Sequence, residues 1–129
     1  MKKDRIPTEQ KADINGADMD KIEVLMAVYN GSAYIREQID SILRVLAENG
    51  KALECNTGGF RSRLSHQNPD TEILKQYRRM GGEHITIGSD AHAPEHLGYG
   101  FTRAKELLKQ CGFHYYTIYH NRKAEMIPL

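Results

Sequence analysis

The sequence predicts an α/β fold, because short apolar segments alternate along it with amphipathic segments of helical period. Four apolar segments are bounded by turn residues, as buried strands are, and they cover residues 22–29, 52–56, 84–88 and 115–119. Three other segments repeat apolar residues at helical spacing, and they cover residues 32–48, 71–80 and 100–110. This order predicts a parallel sheet of about four strands joined by right-handed crossovers.

Turn and capping residues support the boundaries of these elements. Asn49-Gly50 is typical of a helix C-terminus, so the first helix is expected to end there. Asp70 or Thr71 can cap the second helix, because either side chain can accept a hydrogen bond from a free backbone N–H. Residues 127–129 follow the last predicted strand and are expected to form a short tail.

The composition is that of one globular domain preceded by a polar N-terminal tail. The chain has 129 residues with a formal net charge of +1, which gives no general attraction for nucleic acid. Residues 1–18 are polar and aperiodic, which predicts a disordered tail before a single domain at 19–129. No stretch reaches the ~20 apolar residues of a membrane span. Because Cys55 and Cys111 form no disulfide framework, we expect a cytoplasmic protein.

The segment Gly88-Ser89-Asp90-Ala91-His92 carries the strongest chemical signal. It follows the carboxyl end of a predicted strand, where parallel α/β folds build their sites. Residues two apart in an extended segment project to the same side, so Asp90 and His92 can face one point. Together, a carboxylate oxygen and an imidazole nitrogen suit Zn²⁺, Mn²⁺ or Fe²⁺. Taken alone, the pattern also fits an aspartate that caps the next helix beside a surface histidine.

The sequence around this segment resembles the closing part of histidinol-phosphatases of the PHP metallohydrolase superfamily. The similar stretches are residues 52–61 (ALECNTGGFR), 85–101 and 115–129. The resemblance implies a partial β/α barrel of the PHP, TIM-like type, with Asp90 and His92 as metal ligands. It also implies that Arg61 binds the phosphate of a small phosphate ester, for which the planar guanidinium is well suited. A solvated loop arginine is the alternative for Arg61, and Arg63 is its neighbouring competitor.

This chain departs from that family in its metal ligands. Family members carry a His-x-His motif near the N-terminus, whereas the first histidine here is His66. Asp90 and His92 are fewer than the about three protein ligands of a catalytic zinc site. We therefore expect weak metal binding and a phosphatase that is weak or inactive alone. The remaining histidines lie on no motif and are expected to be structural or solvated, namely His66, His84, His96, His114 and His120.

The small number of predicted strands has a consequence for assembly. A complete β/α barrel needs about 250 residues and leaves no sheet edge. With about four strands, the inner face of the sheet, including Ile85 and Ile87, is expected to stay uncovered. The sequence therefore predicts self-association, for example as a homodimer.

A second resemblance lies at the front of the chain. Residues 21–31 (KIEVLMAVYNG) and 34–43 are similar to the opening of a family-two glycosyltransferase with a GT-A fold. This resemblance implies that Tyr29 and Asn30 lie near a nucleotide, while a strand end and a turn is the simpler alternative. Neither an Asp-Asp-Gly-Ser stretch nor an Asp-x-Asp motif follows these residues. The chain is therefore predicted to join a glycosyltransferase-like unit (19–46) to a phosphatase-like segment (47–129).

Two other functions remain as alternatives at this stage. One is a glycosyltransferase-like fragment, and the other is a non-catalytic α/β fragment that oligomerises. The metal motifs favour the phosphatase, because its resemblance retains Asp90-Ala91-His92 while the glycosyltransferase resemblance retains no motif of this kind.

Overall fold

The computed structural model of the protein describes residues 34–129. Its elements are α1 (Ile35–Glu48), β1 (Leu53–Asn56), α2 (Thr71–Arg79), β2 (Ile85–Gly88), α3 (Phe101–Gln110), β3 (Tyr115–His120) and β4 (Lys123–Pro128). Short 3₁₀ turns follow β1, at Thr57–Arg61, and β2, at Pro94–His96. The predicted tail at 1–18, the predicted strand at 22–29, and Tyr29 and Asn30 lie outside the described residues. The α/β class and all three helices are confirmed.

The helices end where the sequence predicts, for the reasons expected. The side chain of Asp70 accepts a hydrogen bond from the backbone N–H of Glu72 at 3.0 Å, so Asp70 rather than Thr71 caps α2. Gly50 follows α1 with a φ of 59°, and Gly112 follows α3 with a φ of 91°. A left-handed residue at this point ends a helix, and glycine adopts it without steric cost. None of the helices within residues 34–129 is both long and apolar enough to cross a membrane.

β1 and β2 form a parallel pair at the centre of the described part. Leu53 lies opposite Ile85, and Asn56 lies opposite Gly88. α2 connects the two strands, as a parallel crossover requires. Because the strands are parallel and in this register, their carboxyl ends meet at one edge, and the loops that follow them start side by side.

The prediction of about four parallel strands is wrong in part, because only two parallel strands occur within residues 34–129. β3 instead pairs antiparallel with β4, which occupies most of the predicted C-terminal tail. The turn between them consists of Asn121 (φ 48°) and Arg122 (φ 65°). Two successive left-handed residues give a tight hairpin whose twist matches the strands, so the chain reverses here instead of crossing over. β3 still lies beside β2, with Thr117 Oγ1 3.3 Å from His84 Nδ1.

The core is formed by helices α1, α2 and α3 packing against the parallel pair. Its buried apolar side chains are Leu43, Cys55, Leu74, Tyr77, Ile85, Ala104, Leu108, Cys111 and Phe113. Tyr77 is fully buried, and its hydroxyl lies 2.7 Å from the carbonyl oxygen of Lys51 and 3.0 Å from that of His84. The phenol group of Tyr77 therefore joins the residues that precede β1 and β2.

The expectation that Ile85 and Ile87 face an uncovered side of the sheet is wrong. Ile85 is fully buried, and Ile87 is partly buried against the core. The reason is that the sheet is small enough for three helices to cover these positions. Exposed apolar side chains occur instead on the β3–β4 hairpin, where Tyr115, Tyr119 and Met126 lie on one face, and at scattered positions such as Val45 and Leu97.

Buried acidic groups, above all Tyr77 and Cys55, make the stability of the fold sensitive to alkaline pH. Burial raises the pKa of the Tyr77 phenol from 10.0 to about 12. Burial, reinforced by Cys111 and Glu54, raises the pKa of the Cys55 thiol from 9.0 to about 12. Both groups are neutral in the fold, so each contributes stability that is fully present below its unfolded-state pKa and is lost as the pH rises through its folded-state pKa.

The free energy of unfolding is therefore expected to fall between about pH 9 and pH 12. Urea denaturation at a series of pH values measures this directly. Cys55→Ala is expected to remove part of the decrease that begins near pH 9, because burial also raises the pKa of the Cys111 thiol and that contribution stays. Tyr77→Phe is expected to remove the part that begins near pH 10. Identical slopes for the parent and both variants would contradict the assignment.

Candidate active site

The candidate site lies at the carboxyl ends of β1 and β2, where two loops meet. The Thr57–Arg61 turn follows β1 directly, and residues 89–92 follow β2. Thr57 is fully buried, and its hydroxyl lies 2.5 Å from the carbonyl oxygen of Tyr99 and 3.3 Å from that of Gly88. Thr57 thus attaches the end of β1 to the end of β2 and to the loop before α3.

The Thr57–Arg61 turn forms because its residues allow a very close approach of backbone. The side chain of Asn56 accepts a hydrogen bond from the N–H of Gly58 at 2.8 Å, which starts the turn. Gly59 is buried, and a Cβ placed there would be 2.1 Å from the carbonyl oxygen of His66. Glycine is therefore required at Gly59 by the neighbouring loop. The result is a fixed base for Arg61, the last residue of the turn.

Arg61 lies across the start of the second loop and is not a solvated loop arginine. Its Nη1 donates to the carbonyl oxygen of Ser89 at 3.1 Å, and its Nη2 donates to that of Asp90 at 3.0 Å. The guanidinium carbon is 5.6 Å from the centroid of the Tyr99 ring, within cation–π range. Arg63, the predicted competitor, is exposed. The structure thus brings Arg61 and Asp90 together, as a shared site requires.

Asp90 and His92 approach each other, although not for the reason predicted. Asp90 has a φ of 49°, so the segment is a left-handed turn and not an extended strand. Oδ1 of Asp90 is 4.0 Å from Nδ1 of His92, and this nitrogen is 2.9 Å from the carbonyl oxygen of Asp90. Both side chains are open to solvent, at 57% and 82% of their full exposure.

The donor atoms of this pair fit a transition-metal ion in kind. When Nδ1 of His92 donates to the carbonyl oxygen of Asp90, Nε2 carries the lone pair that a metal accepts. A carboxylate oxygen and an imidazole nitrogen are ligands of Zn²⁺, Mn²⁺ and Fe²⁺. Within residues 34–129, no group of three His, Cys, Asp or Glu side chains is arranged around a common point. The described part therefore offers two ligands.

Three further residues at the site were not singled out from the sequence. Glu54 packs its carboxylate over Gly88, where an added Cβ would be 2.9 Å from Cδ of Glu54. Its Oε1 also accepts a hydrogen bond from Asn56 Nδ2 at 3.1 Å. The signal for Glu54 was its spacing of two from Asn56 on one strand. Thr57 and Tyr99 carried no signal of their own, because their roles depend on the contact between two loops.

The other histidines divide between structural contacts and solvent. Nδ1 of His66 lies 2.8 Å from the carbonyl oxygen of Gln67, and His84 contacts Thr117. His114 is exposed, and Nε2 of His120 lies 3.6 Å from Oε2 of Glu125. Nδ1 of His96 is buried and has no hydrogen-bond partner among the described residues.

Comparison with known proteins shows which proteins this chain is similar to. The chain is 41% identical over 83 residues to a probable histidinol-phosphatase from Thermotoga maritima, which covers 64% of this chain and 35% of the relative. It is 37% identical over 84 residues to the histidinol-phosphatase of Lactococcus lactis, covering 61% of this chain and 29% of the relative. No protein-family model matches the chain.

A comparison of structures also finds a histidinol phosphate phosphatase. The chain is similar to a crystal structure of histidinol phosphate phosphatase from Lactococcus lactis complexed with zinc, L-histidinol and phosphate. The TM-score is 0.59 at 33% identity, over 72% of this chain and 35% of that one. The chain thus spans about a third of the length of the relatives it matches. In both sequence and fold, the greater part of this chain is similar to a segment of proteins named histidinol-phosphatase.

Proposed function

We propose that the chain is a histidinol-phosphatase-like, metal-dependent phosphomonoesterase that acts weakly, if at all, alone. The observation that carries this proposal is the meeting of Arg61 with the Asp90 segment at the carboxyl ends of two parallel strands, where Arg61 Nη2 donates to the Asp90 carbonyl oxygen at 3.0 Å. A phosphate-binding cation beside a metal-ligating pair is the arrangement that phosphomonoester hydrolysis needs. The relatives with histidinol-phosphatase names support the substrate class.

In this proposal Arg61 binds the phosphate group of the substrate. A guanidinium has five N–H donors, and within residues 34–129 two of those of Arg61 are used, on the carbonyl oxygens of Ser89 and Asp90. The remaining donors can hold phosphate oxygens, and the positive charge opposes the charge that accumulates on them during transfer. The Tyr99 ring supports one side of the guanidinium.

Asp90 and His92 would hold the divalent ion in the same proposal. The solved relative contains zinc, L-histidinol and phosphate, which supports a divalent metal and a small phosphate ester as ligands of this site. A bound divalent ion would supply Lewis-acid polarisation of the phosphoryl group. The chain's own residues would orient it: His92 through Nε2 and Asp90 through its carboxylate, with water at the positions that they leave open.

Hydrolysis of histidinol phosphate by the purified chain in the presence of Mn²⁺ or Zn²⁺ tests this function. We expect turnover far below the ~1 s⁻¹ of an ordinary enzyme, because two protein ligands hold a metal loosely. Any activity should be lost on chelation and in Asp90→Ala. A rate that is the same for the parent and Asp90→Ala would contradict the proposed role of Asp90, and a full enzyme rate would contradict the expectation of a weak site.

Calorimetric titration with Zn²⁺ tests the metal site without relying on activity. We expect weak binding to the parent, and a loss of about 10-fold or more in affinity in His92→Ala, because a ligand is removed from a site that has two. His120→Ala is the matched control, since His120 is also exposed and near a carboxylate, on Glu125. The same isotherm for the parent and His92→Ala would contradict the site.

Self-association and the origin of the front of the chain are further parts of the proposal. Tyr115, Tyr119 and Met126, which are exposed on one face of the β3–β4 hairpin, support contact with a second copy, because exposed apolar side chains are costly to leave in water. Light scattering at increasing concentration measures the oligomeric state. The glycosyltransferase-like origin of residues 19–43 is proposed from sequence alone, and most of that range precedes the described residues.

A further inference from the structure

We propose that Arg61 is also a positioning residue for the Asp90 segment, so that one side chain serves both the phosphate and the metal ligand. This inference rests on the proposed function, but it concerns a different property of Arg61. Within residues 34–129, its two hydrogen bonds both go to backbone carbonyl oxygens of consecutive residues, Ser89 and Asp90. A residue that served only as a phosphate-binding cation would need neither.

The need for such an anchor follows from the end of β2. The parallel ladder stops at Gly88 opposite Asn56, so the carbonyl groups beyond it have no strand partner. The Thr57–Arg61 turn replaces that partner with side chains. Thr57 contacts the carbonyl oxygen of Gly88, and Arg61 binds those of the next two residues. Two successive carbonyl groups beyond the ladder are therefore held by Arg61, and the Gly88 carbonyl group before them contacts Thr57.

The conformation of Asp90 makes the anchor important. Its φ of 49° lies in the left-handed region, which costs roughly 1 kcal/mol for a residue with a side chain. The Asp90 carbonyl group is also the partner of His92 Nδ1, at 2.9 Å. The same oxygen thus receives Arg61 Nη2 and His92 Nδ1, and it links the orientation of the imidazole to the guanidinium.

The charge of Arg61 and its positioning role are expected to change metal affinity in opposite directions. A guanidinium close to a divalent cation repels it, so removing the charge alone should tighten metal binding. Removing an anchor that orients the ligands should instead weaken metal binding. The loss is typically 10- to 100-fold for a residue that hydrogen-bonds a metal ligand. The sign of the change therefore separates positioning from simple proximity.

Backbone order in the full chain without metal is the primary test. We expect the ¹⁵N order parameters of Ser89, Asp90, Ala91 and His92 to fall from roughly 0.85 toward 0.6 in Arg61→Ala and in Arg61→Lys, which keeps the charge but loses the planar fork. Arg63→Ala, which removes the same charge from an exposed loop position, should leave them unchanged. Order parameters in α2 report whether the fold itself is intact.

Zn²⁺ titration of the same variants is the second measurement. Loss of affinity of ~10-fold in both Arg61→Ala and Arg61→Lys supports the inference. Tighter binding in Arg61→Ala, or unchanged order of residues 89–92, overturns it while leaving the proposed metal site standing. Absence of Zn²⁺ binding by the parent would instead refute the proposed metal site, and the order parameters would still decide whether Arg61 holds the segment.

Discussion

Replacing Tyr77 with alanine is expected to lower the free energy of unfolding by about 3–5 kcal/mol. Tyr77 is fully buried, its ring lies 6.4 Å from that of Phe113, and Gly82 packs directly against it. The substitution would leave a cavity between α2 and the parallel strands. It would also leave the carbonyl groups of Lys51 and His84 without the phenol hydroxyl that lies between them. For a domain of this size, such a loss is a large part of the total stability.

Chemical denaturation of two further variants separates these contributions. Tyr77→Phe keeps the ring and removes the hydroxyl, so its expected cost is about 1–3 kcal/mol. Tyr119→Ala is the matched control, because Tyr119 is 46% exposed on the hairpin and its loss should change stability by only about 0.5 kcal/mol. Equal effects at Tyr77 and Tyr119 would show that the packing around Tyr77 has been misassigned.

Replacing Gly59 with alanine is expected to be less damaging to stability than Tyr77→Ala and more damaging to the site. The added Cβ would lie 2.1 Å from the carbonyl oxygen of His66, and a backbone atom cannot move away as a flexible side chain can. Relief of this clash requires the Thr57–Arg61 turn or the His66 loop to shift, at a cost of about 1–3 kcal/mol. Because Arg61 is at the end of this turn, its contacts with Ser89 and Asp90 should be lost as well.

Chemical denaturation of Gly59→Ala measures the loss of stability, and calorimetry with inorganic phosphate measures the effect on the site. Gly50→Ala is the matched control: a Cβ on Gly50 meets nothing within 4 Å, but its φ is 59°. That substitution should cost roughly 1 kcal/mol from backbone strain alone and leave phosphate binding unchanged. If Gly59→Ala retains the phosphate affinity of the parent, the turn does not position Arg61.

The sequence predicted which of these residues lie together more accurately than it predicted their geometry. Asp90, His92 and Arg61 do lie together, because loops after neighbouring parallel strands share an edge. The assumption of an extended segment was wrong, since Asp90 adopts a positive φ. Local sequence does not determine that conformation. The hydrogen bond that the Asp90 carbonyl oxygen accepts comes from Arg61, which is 29 residues away along the chain. The contacts of Thr57 and Tyr99 were missed for the same reason.

The fold was predicted where local signals decide it and missed where a turn had an unusual sequence. The Asp70 cap and the glycine-containing helix ends are local, and they were correct. The hairpin at Asn121-Arg122 was missed, because the usual signal for two left-handed residues is asparagine followed by glycine. Because arginine is not typical of such a turn, the sequence predicts β3 as one more parallel strand.

The two buried thiols make the chain its own probe of local opening. Cys55 lies in the middle of β1 and Cys111 directly after α3, and both are free and shielded from solvent. An alkylating reagent attacks the thiolate, so it can reach either sulfur only when the surrounding structure separates. The rate of labelling would then report the free energy of opening at that position. Comparing the two rates, peptide by peptide, would show whether the parallel pair and the C-terminal helix open together or as separate units.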